Sequence, residues 1–458
     1  MDLWTADNLK NHAVTVVGLG RSGLAAARFC RAAGARVTVS EAGAVDHFIA
    51  GSEALERAGV SLEFGPHREA AFTRADLIVL SPGVPHTIAP LEAARQRGVP
   101  VMGEMELAAR FVREPIAAIT GTNGKTTTTE LLGAMLAASG LGVFVGGNIG
   151  RPLIEYVEAA TPVDWLVVEV SSFQLDTMTT FRPRIACLLN ISDDHLDRYP
   201  DAAAYAASKW RLFGNQTDED TAILNAAVVD TYGPPDPLPA GRVLYFNGAP
   251  EGHTAAAVLS GSRLRLDPGP GSRCVELAWP SLPLVGRHNE ENIEAAALAA
   301  LTAGATPAGI RQAVADFEGL PHRVRFVREV DGVRYYDDSK ATNVDAVARA
   351  LDSFAQPVVL IMGGRDKGGS YQALEARLRQ KVCQLIVMGE AADIIARAFR
   401  HIVPIRTAGS MGDAVRIAAE TAREGQVVLL SPACSSFDWY DNYHQRGEDF
   451  CHHVQQLP

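Results

Sequence analysis

Apolar and polar positions set up a βα rhythm from the first residues onward. Ala13 to Val17 is a short continuous apolar run and predicts a buried strand. Leu24 to Ala33 is Ala-rich, broken by Arg28 and Arg31, and predicts a helix; Gly34 stands where a C-terminal glycine belongs. Arg36 to Ser40 and Leu77 to Leu80 predict further strands. Such alternation implies a parallel sheet with helices on its faces.

The rhythm restarts at Ile116 to Thr120 and continues through Trp165 to Val170 and Ile185 to Asn190. Between Tyr232 and Pro283 the chain turns Pro- and Gly-rich, with short alternating pieces such as Arg263-Leu264-Arg265-Leu266. Small β-hairpins appended to the sheet are expected there. Asn289 to Leu301 predicts a helix. After Leu320-Pro321, the apolar runs Val358 to Met362, Leu385 to Met388 and Val427 to Leu430 predict a third αβ layer. The expected α/β fold thus has three domains: residues 1–104, Rossmann-like; 105–319, a mononucleotide-binding sheet with a small β-subdomain; and 320–458, Rossmann-like.

A chain of 458 residues exceeds the ~250–300 at which a single core stops growing. Hydrophobic residues at 47% suffice for several cores and exclude wholesale disorder. With 42 basic against 53 acidic residues, the net charge of -11 argues against nucleic-acid or anionic-membrane partners. No apolar run approaches a membrane span. Asp2 stands where a signal peptide needs basic charge, and the six cysteines form no CxxC pair. A cytoplasmic protein is expected.

Two glycine loops carry candidate chemistry. Gly18-Leu19-Gly20-Arg21-Ser22-Gly23 follows a strand and opens a helix, and Glu41 ends the next strand. That is the context in which backbone N–H groups approach a pyrophosphate. The pattern alone leaves open NAD(P) or FAD, another nucleotide diphosphate, or a tight turn. The second loop, Gly121-Thr122-Asn123-Gly124-Lys125-Thr126, joins a strand to the helix opening at Thr127. Lys125 would reach the β/γ-phosphates of ATP and the Thr126 hydroxyl Mg²⁺. Ile119 occupies the position of the first Walker glycine, so the loop is a shortened variant. An NAD-dependent oxidoreductase would use the first loop but leave Lys125 without work. A nucleotide-gated binding module without chemistry is the other alternative.

Further motifs follow in order: Gly147-Asn148-Ile149-Gly150, Glu169-Val170-Ser171-Ser172-Phe173-Gln174-Leu175, Asp194-His195-Leu196-Asp197-Arg198-Tyr199, Gly286-Arg287-His288-Asn289-Glu290-Glu291-Asn292 and Pro321-His322-Arg323. Asp338-Ser339-Lys340-Ala341-Thr342-Asn343, Gly363-Gly364-Arg365-Asp366-Lys367-Gly368 and Ser431-Pro432-Ala433-Cys434 complete the series. From about residue 12 to the C-terminus the chain resembles the Mur ligase family.

The resemblance implies a ligase of peptidoglycan precursor synthesis that joins D-glutamate to UDP-N-acetylmuramoyl-L-alanine. ATP would phosphorylate the L-alanine carboxylate, the amine of D-glutamate would attack the acyl phosphate, and phosphate would leave. A sibling ligase using L-glutamate or another amino acid is the nearest competitor. Two unit charges at 4 Å repel by about 4 kcal/mol at an effective dielectric near 20, so cations must gather where phosphate meets carboxylate.

By resemblance, Lys125, Glu169, His195 and Lys209 are catalytic. Two Mg²⁺ sites are implied, with Thr126, Glu169, His195 and Lys209 as ligands and Lys209 carbamylated. Gly121 to Thr127 would hold the phosphates, Asn289 and Asn292 the adenine, Asp338 the ribose, and Arg323 and Lys340 phosphate. Gly20, Arg21, Ser22, Glu41, Ser81 and Gly83 would cradle the UDP. Asn148, Ser171, Gln174 and His195 would contact the same substrate, and Thr342, Lys367, Ser436, Phe437 and Tyr443 the glutamate. A monomer is expected.

Overall fold

The computed structural model describes all residues except 1–3, 5, 44–48, 193, 195–197, 235–238, 270–272, 283, 285 and 369. The first sheet holds β1 (Ala13–Val17), β2 (Arg36–Glu41), β3 (Ser61–Phe64), β4 (Leu77–Leu80) and β5 (Val101–Gly103) in the order β3-β2-β1-β4-β5, all parallel. The order reverses at β1, so a crevice opens beyond the C-terminal ends of β1 and β4. The helix after β1 runs Arg21–Ala32 and begins earlier than Leu24, placing Arg21 and Ser22 in its first turn. Gly34 has φ +86° and its N–H bonds back to the Arg31 carbonyl, closing the helix as its position predicts.

The central sheet comprises β6 (Ile116–Thr120), β7 (Val143–Gly147), β8 (Trp165–Glu169), β9 (Ile185–Leu188), β10 (Thr221–Asn225) and β11 (Arg242–Phe246), ordered β11-β10-β9-β6-β8-β7. The Pro- and Gly-rich segment departs from simple hairpins on this sheet. Tyr232 ends a helix, and β11 joins the sheet in parallel to β10. Then β12 (Ala257–Ser260), β13 (Arg263–Leu266) and β14 (Val275–Ala278) form a separate antiparallel meander. Its inward Leu264 and Leu266 pack on the helix Arg287–Thr302, while Arg263 and Arg265 face water.

The third sheet holds β15 (Arg325–Val330), β16 (Val333–Asp337), β17 (Val358–Gly363), β18 (Val382–Met388), β19 (Ile405–Thr407) and β20 (Val427–Leu430), ordered β15-β16-β20-β17-β18-β19. The three predicted apolar runs are its interior, buried on both faces. The β15–β16 hairpin adds an antiparallel edge.

One apolar core runs without a break from the first sheet, through Met105 and Leu107, to one face of the central sheet. Glu106, fully buried, fixes this joint: it accepts hydrogen bonds from the backbone N–H of Thr179, Thr180 and Phe181 and pairs with Arg110 at 2.9 Å. The third sheet has its own cores, one on each face.

Candidate functional site

The second glycine loop leaves β6 and enters the helix Lys125–Ala138. Gly124 sits at φ +84°, where an added methyl group would collide with Asn292 Oδ1. Asn292 also accepts from the Thr128 hydroxyl (3.2 Å) and donates to Asn289 Oδ1 (3.3 Å). The helix Arg287–Thr302 is therefore pressed onto the loop. Lys125 is folded back, its Nζ donating to the carbonyls of Gly121 and Thr122, each at 2.8 Å. Burial lowers its pKa.

Glu169 ends β8, beside β6. Its Oε2 accepts from the Thr126 hydroxyl and its Oε1 from Asn148 Nδ2, both at 2.8 Å. Hydroxyl and carboxylate oxygens in this pairing are the hard donors that suit Mg²⁺. Lys209 lies on the helix Ala202–Trp210, 1% exposed, with Nζ 2.9 Å from the Gly121 carbonyl and 4.4 Å from the Tyr205 ring centroid. Burial, reinforced by the charge of Lys125, holds its pKa well below the ordinary lysine value. His195 lies outside the described residues. Asp194 before it accepts from Asn343 Nδ2 at 3.0 Å.

The C-terminal domain brings its cations to the same hydroxyl. Arg323 Nη2 is 3.2 Å and Lys340 Nζ 3.5 Å from Thr126 Oγ1. Arg323 Nε is buried with no hydrogen-bond partner among the described residues, which suits an anion. Burial pushes Lys340 down to about 7 and Asp338 up to about 7. Asp338 follows β16, at the end where β20 supplies Ser431, whose hydroxyl donates to it at 2.8 Å. Asn123, Gly124, Thr127, Asn289, Asn292, Arg323, Asp338 and Lys340 line one narrow cavity of about 60 Å³ between the central and C-terminal domains.

A second cavity, about 520 Å³, adjoins it and is lined by Asp194, Thr342 and Lys367. Lys367 is near enough to weigh on the charge of Lys125. Tyr371 steadies its loop by donating to Asp366 Oδ1 at 2.7 Å. Ser436 and Phe437 do not line this cavity, and Phe437 is 61% exposed. Tyr443 is turned to the other side, where its hydroxyl meets Lys340 Nζ at 2.9 Å. Thr342 and Lys367 are thus brought together; Ser436, Phe437 and Tyr443 are not among them.

In the first domain, Glu41 reaches back to the glycine loop. Its carboxylate accepts from the N–H of Leu19 (2.6 Å) and of Gly43 (2.7 Å). Ser81, buried after β4, donates to the Gly18 carbonyl at 3.0 Å. Both residues shape the crevice at the sheet's reversal, and Gly20, Arg21 and Gly83 are exposed at its rim. Ser171 and Gln174 form a capping box on the helix Ser172–Leu175. Gln174 Nε2 remains buried and unpartnered among the described residues.

Three stretches of the chain match Mur ligase domains: residues 12–103 the MurD-like N-terminal domain, 119–235 the middle domain, and 322–434 the glutamate ligase domain. A UDP-N-acetylmuramoylalanine–D-glutamate ligase of Desulfatibacillum aliphaticivorans is 49% identical over 98% of this chain and 100% of its own. The chain belongs to the Mur ligase family. A like-named ligase of Geotalea daltonii is 44% identical, with 98% of both chains covered. Mur ligases of known structure share the three-domain fold at lower identity. MurF from Acinetobacter baumannii is 14% identical, with a TM-score of 0.59 over 98% of this chain and 92% of its own. UDP-N-acetylmuramate-alanine ligase MurC from Thermotoga maritima is 17% identical, with a TM-score of 0.57 over 97% and 99%.

Two buried residues to which the motifs give no role, Arg446 and His322, hold the loops of this Mur ligase together. Arg446, 1% exposed, donates to Ser339 Oγ (3.0 Å), the Ser339 carbonyl (2.8 Å) and the Cys434 carbonyl (3.1 Å). It ties the loop bearing Asp338 and Lys340 to the loop bearing Cys434. His322, paired with Asp337 at 2.6 Å, braces Arg323 and Asp338 from behind. An arginine in a polar helix such as Tyr443–Gln455 gives no signal of burial in one sequence.

Proposed function

We propose that this chain ligates D-glutamate to UDP-N-acetylmuramoyl-L-alanine in the cytoplasm, with cleavage of ATP to ADP and phosphate. The identity of 49% to a full-length ligase of that name carries the reading. The cations gathered at Thr126 fit its chemistry, in which negative phosphates must meet a carboxylate.

The loop N–H groups and the N-terminus of the helix Lys125–Ala138 would hold the phosphates of ATP, with Lys125 swinging from its loop carbonyls onto them. Lys340 and Arg323 would flank the transferred group from the C-terminal domain. Thr126 and Glu169 would hold magnesium, which when bound supplies positive charge against the phosphate oxygens. A carbamate on Lys209, together with His195, would serve a second magnesium. The phosphoryl group passes to the L-alanyl carboxylate, giving an acyl phosphate. The neutral amine of D-glutamate then attacks the acyl carbon, the C–N bond forms, phosphate leaves with the C–O electron pair, and the nitrogen's extra proton passes to the departing phosphate. Asn289, Asn292 and Asp338 would orient the nucleoside. The crevice at Gly20, Arg21, Ser22, Glu41, Ser81 and Gly83 would hold the uridine diphosphate, and Asn148, Ser171 and Gln174 the remainder of that substrate. Thr342 and Lys367 would meet the D-glutamate carboxylates, with Ser436, Phe437 and Tyr443 as further candidate contacts.

Phosphate release is the test, with Mg-ATP, UDP-N-acetylmuramoyl-L-alanine and one amino acid at a time. Release that depends on D-glutamate is expected. Release with L-glutamate or another amino acid instead would make the chain a sibling ligase. No release with any acceptor would refute the reading.

A further inference from the structure

We propose that Asp345 is a positioning residue: its carboxylate latches the C-terminal domain onto the phosphate loop and so aligns Arg323 and Lys340 with Thr126. A single oxygen, Asp345 Oδ2, accepts from Asn123 Nδ2 at 2.8 Å, Ser192 Oγ at 3.1 Å and Arg349 Nε at 2.9 Å. Two of these donors belong to different loops of the central domain: Asn123 in the loop after β6, Ser192 in the loop after β9. The third, Arg349, is one turn along the helix Val344–Asp352 that carries Asp345, and it holds the carboxylate in place from its own side.

The anchorage on the central side is rigid. The Asn123 N–H donates to Asn190 Oδ1 at 2.8 Å, and Asn190 Nδ2 returns a bond to the Asn123 carbonyl at 2.9 Å. With its backbone so held, Asn123 presents its side-chain amide to the C-terminal domain. On the other side, Asn343 caps the same helix by accepting from the Ala346 N–H and bonds Asp194 through its own Nδ2. The helix start therefore engages both loops at once, directly after Lys340 and Thr342.

Two further facts distinguish this contact from the others across the joint. Arg323 and Lys340 meet the central domain at the Thr126 hydroxyl, the group the proposed function needs for metal and phosphate, so those bonds are exchanged when nucleotide enters. The bonds of Asp345 to Asn123 and Ser192 are made through side chains and leave the Thr126 hydroxyl free, so they can re-form once nucleotide is in place. Moreover, the cavity of about 60 Å³ holds only a few waters and is well below the several hundred Å³ that a nucleotide-sized ligand fills. A nucleotide can enter only when the C-terminal domain lifts from the loop, so the latch must open and re-form in each turnover.

The test compares the full-length parent with D345A, D345N and S192A. The readouts are steady-state ligation, melting temperature, and radius of gyration by small-angle X-ray scattering with magnesium and a non-hydrolysable ATP analogue. For D345A, kcat is expected to fall by about tenfold, the loss of hydrogen bonds to a charged group. The KM for UDP-N-acetylmuramoyl-L-alanine and the melting temperature should stay near those of the parent, and compaction on nucleotide should be lost. D345N keeps an acceptor oxygen and should restore most of both. Parental kcat and compaction in D345A, or no rescue by D345N, would overturn the proposal. Should D345A fold poorly, S192A decides: it removes one donor from the same oxygen and must lower kcat by about threefold and weaken compaction, and no effect overturns the proposal. The turnover arm rests on the ligase reading. A parent that compacts without ligating counts against that reading, while the scattering of D345A still decides the latch.

Discussion

Lys209 Nζ lies 2.9 Å from the carbonyl oxygen of Gly121, so a fully buried lysine abuts the first residue of the phosphate loop. A second lysine, Lys125, donates to that same oxygen at 2.8 Å. Burial disfavours the charge of both, and the ammonium of Lys125 on the same carbonyl further disfavours that of Lys209. A neutral amine at Lys209 is the form that attacks CO₂, creating an N–C bond and releasing a proton. With ¹³C-bicarbonate, a carbamate carbon resonance is expected in the parent and absent in Lys209→Met. Enzyme stripped of CO₂ should lose turnover and regain it on adding bicarbonate. A resonance unchanged in Lys209→Met would refute the assignment.

Glu104 begins the helix Glu104–Ala109 at the joint of the first two domains, 1% exposed. Its Oε1 accepts from the Ile154 N–H at 2.7 Å, while Oε2 has no partner among the described residues. Burial raises its pKa from 4.5 to about 7. A raised pKa means that the folded state holds the proton more tightly. The stability this confers is present below about 4.5 and is lost as pH rises towards about 7, by about 1.4 kcal/mol per pH unit at most. Glu104→Gln is neutral throughout. Its stability relative to the parent, from urea unfolding at pH 5, 6 and 7, should therefore rise with pH. A flat difference would contradict the account.

Gly124 touches Asn292 where any side chain would collide, and its φ of +84° is costly for other residues. Gly124→Ala should weaken binding of an ATP analogue by tenfold or more, a displacement worth about 1.4 kcal/mol or above, because the helix Arg287–Thr302 must shift away from the loop. Titration calorimetry reads this directly. Parental affinity would show that the contact is not needed.

Glu106 gathers three backbone N–H groups and Arg110 at a fully buried carboxylate. Glu106→Ala leaves Arg110 unpaired in the interior and should cost about 3–5 kcal/mol, the range for breaking a buried ion pair. Denaturant unfolding measures it, and a loss below about 1 kcal/mol would mean that the joint does not depend on this residue.

Lys125→Ala removes a side chain whose hydrogen bonds among the described residues stay within its own loop, so folding should be little affected. Ligation should fall to the background of the assay while the circular dichroism spectrum and melting temperature are retained. Near-normal turnover would remove this loop from the chemistry.

The sequence by itself determined the βα layers and the order of the motifs. Continuous apolar runs such as Val358 to Met362 have one stable destination, the middle of a sheet covered on both faces. Glycines at Gly34 and Gly124 stand where the backbone takes positive φ. Tertiary structure alone decided what meets at Thr126. Arg323 and Lys340 are almost two hundred residues or more away along the chain, yet both reach its hydroxyl. It also decided that Lys209, in a helix whose sequence reads as an exposed position, is buried against Gly121, and that Arg446 is the buried tie between two loops. Periodicity reports which face of an element is apolar. Which polar side chains are then driven together, and which pKa values move as water is excluded, depends on how three separately formed sheets dock, and that is written in no local stretch of the chain.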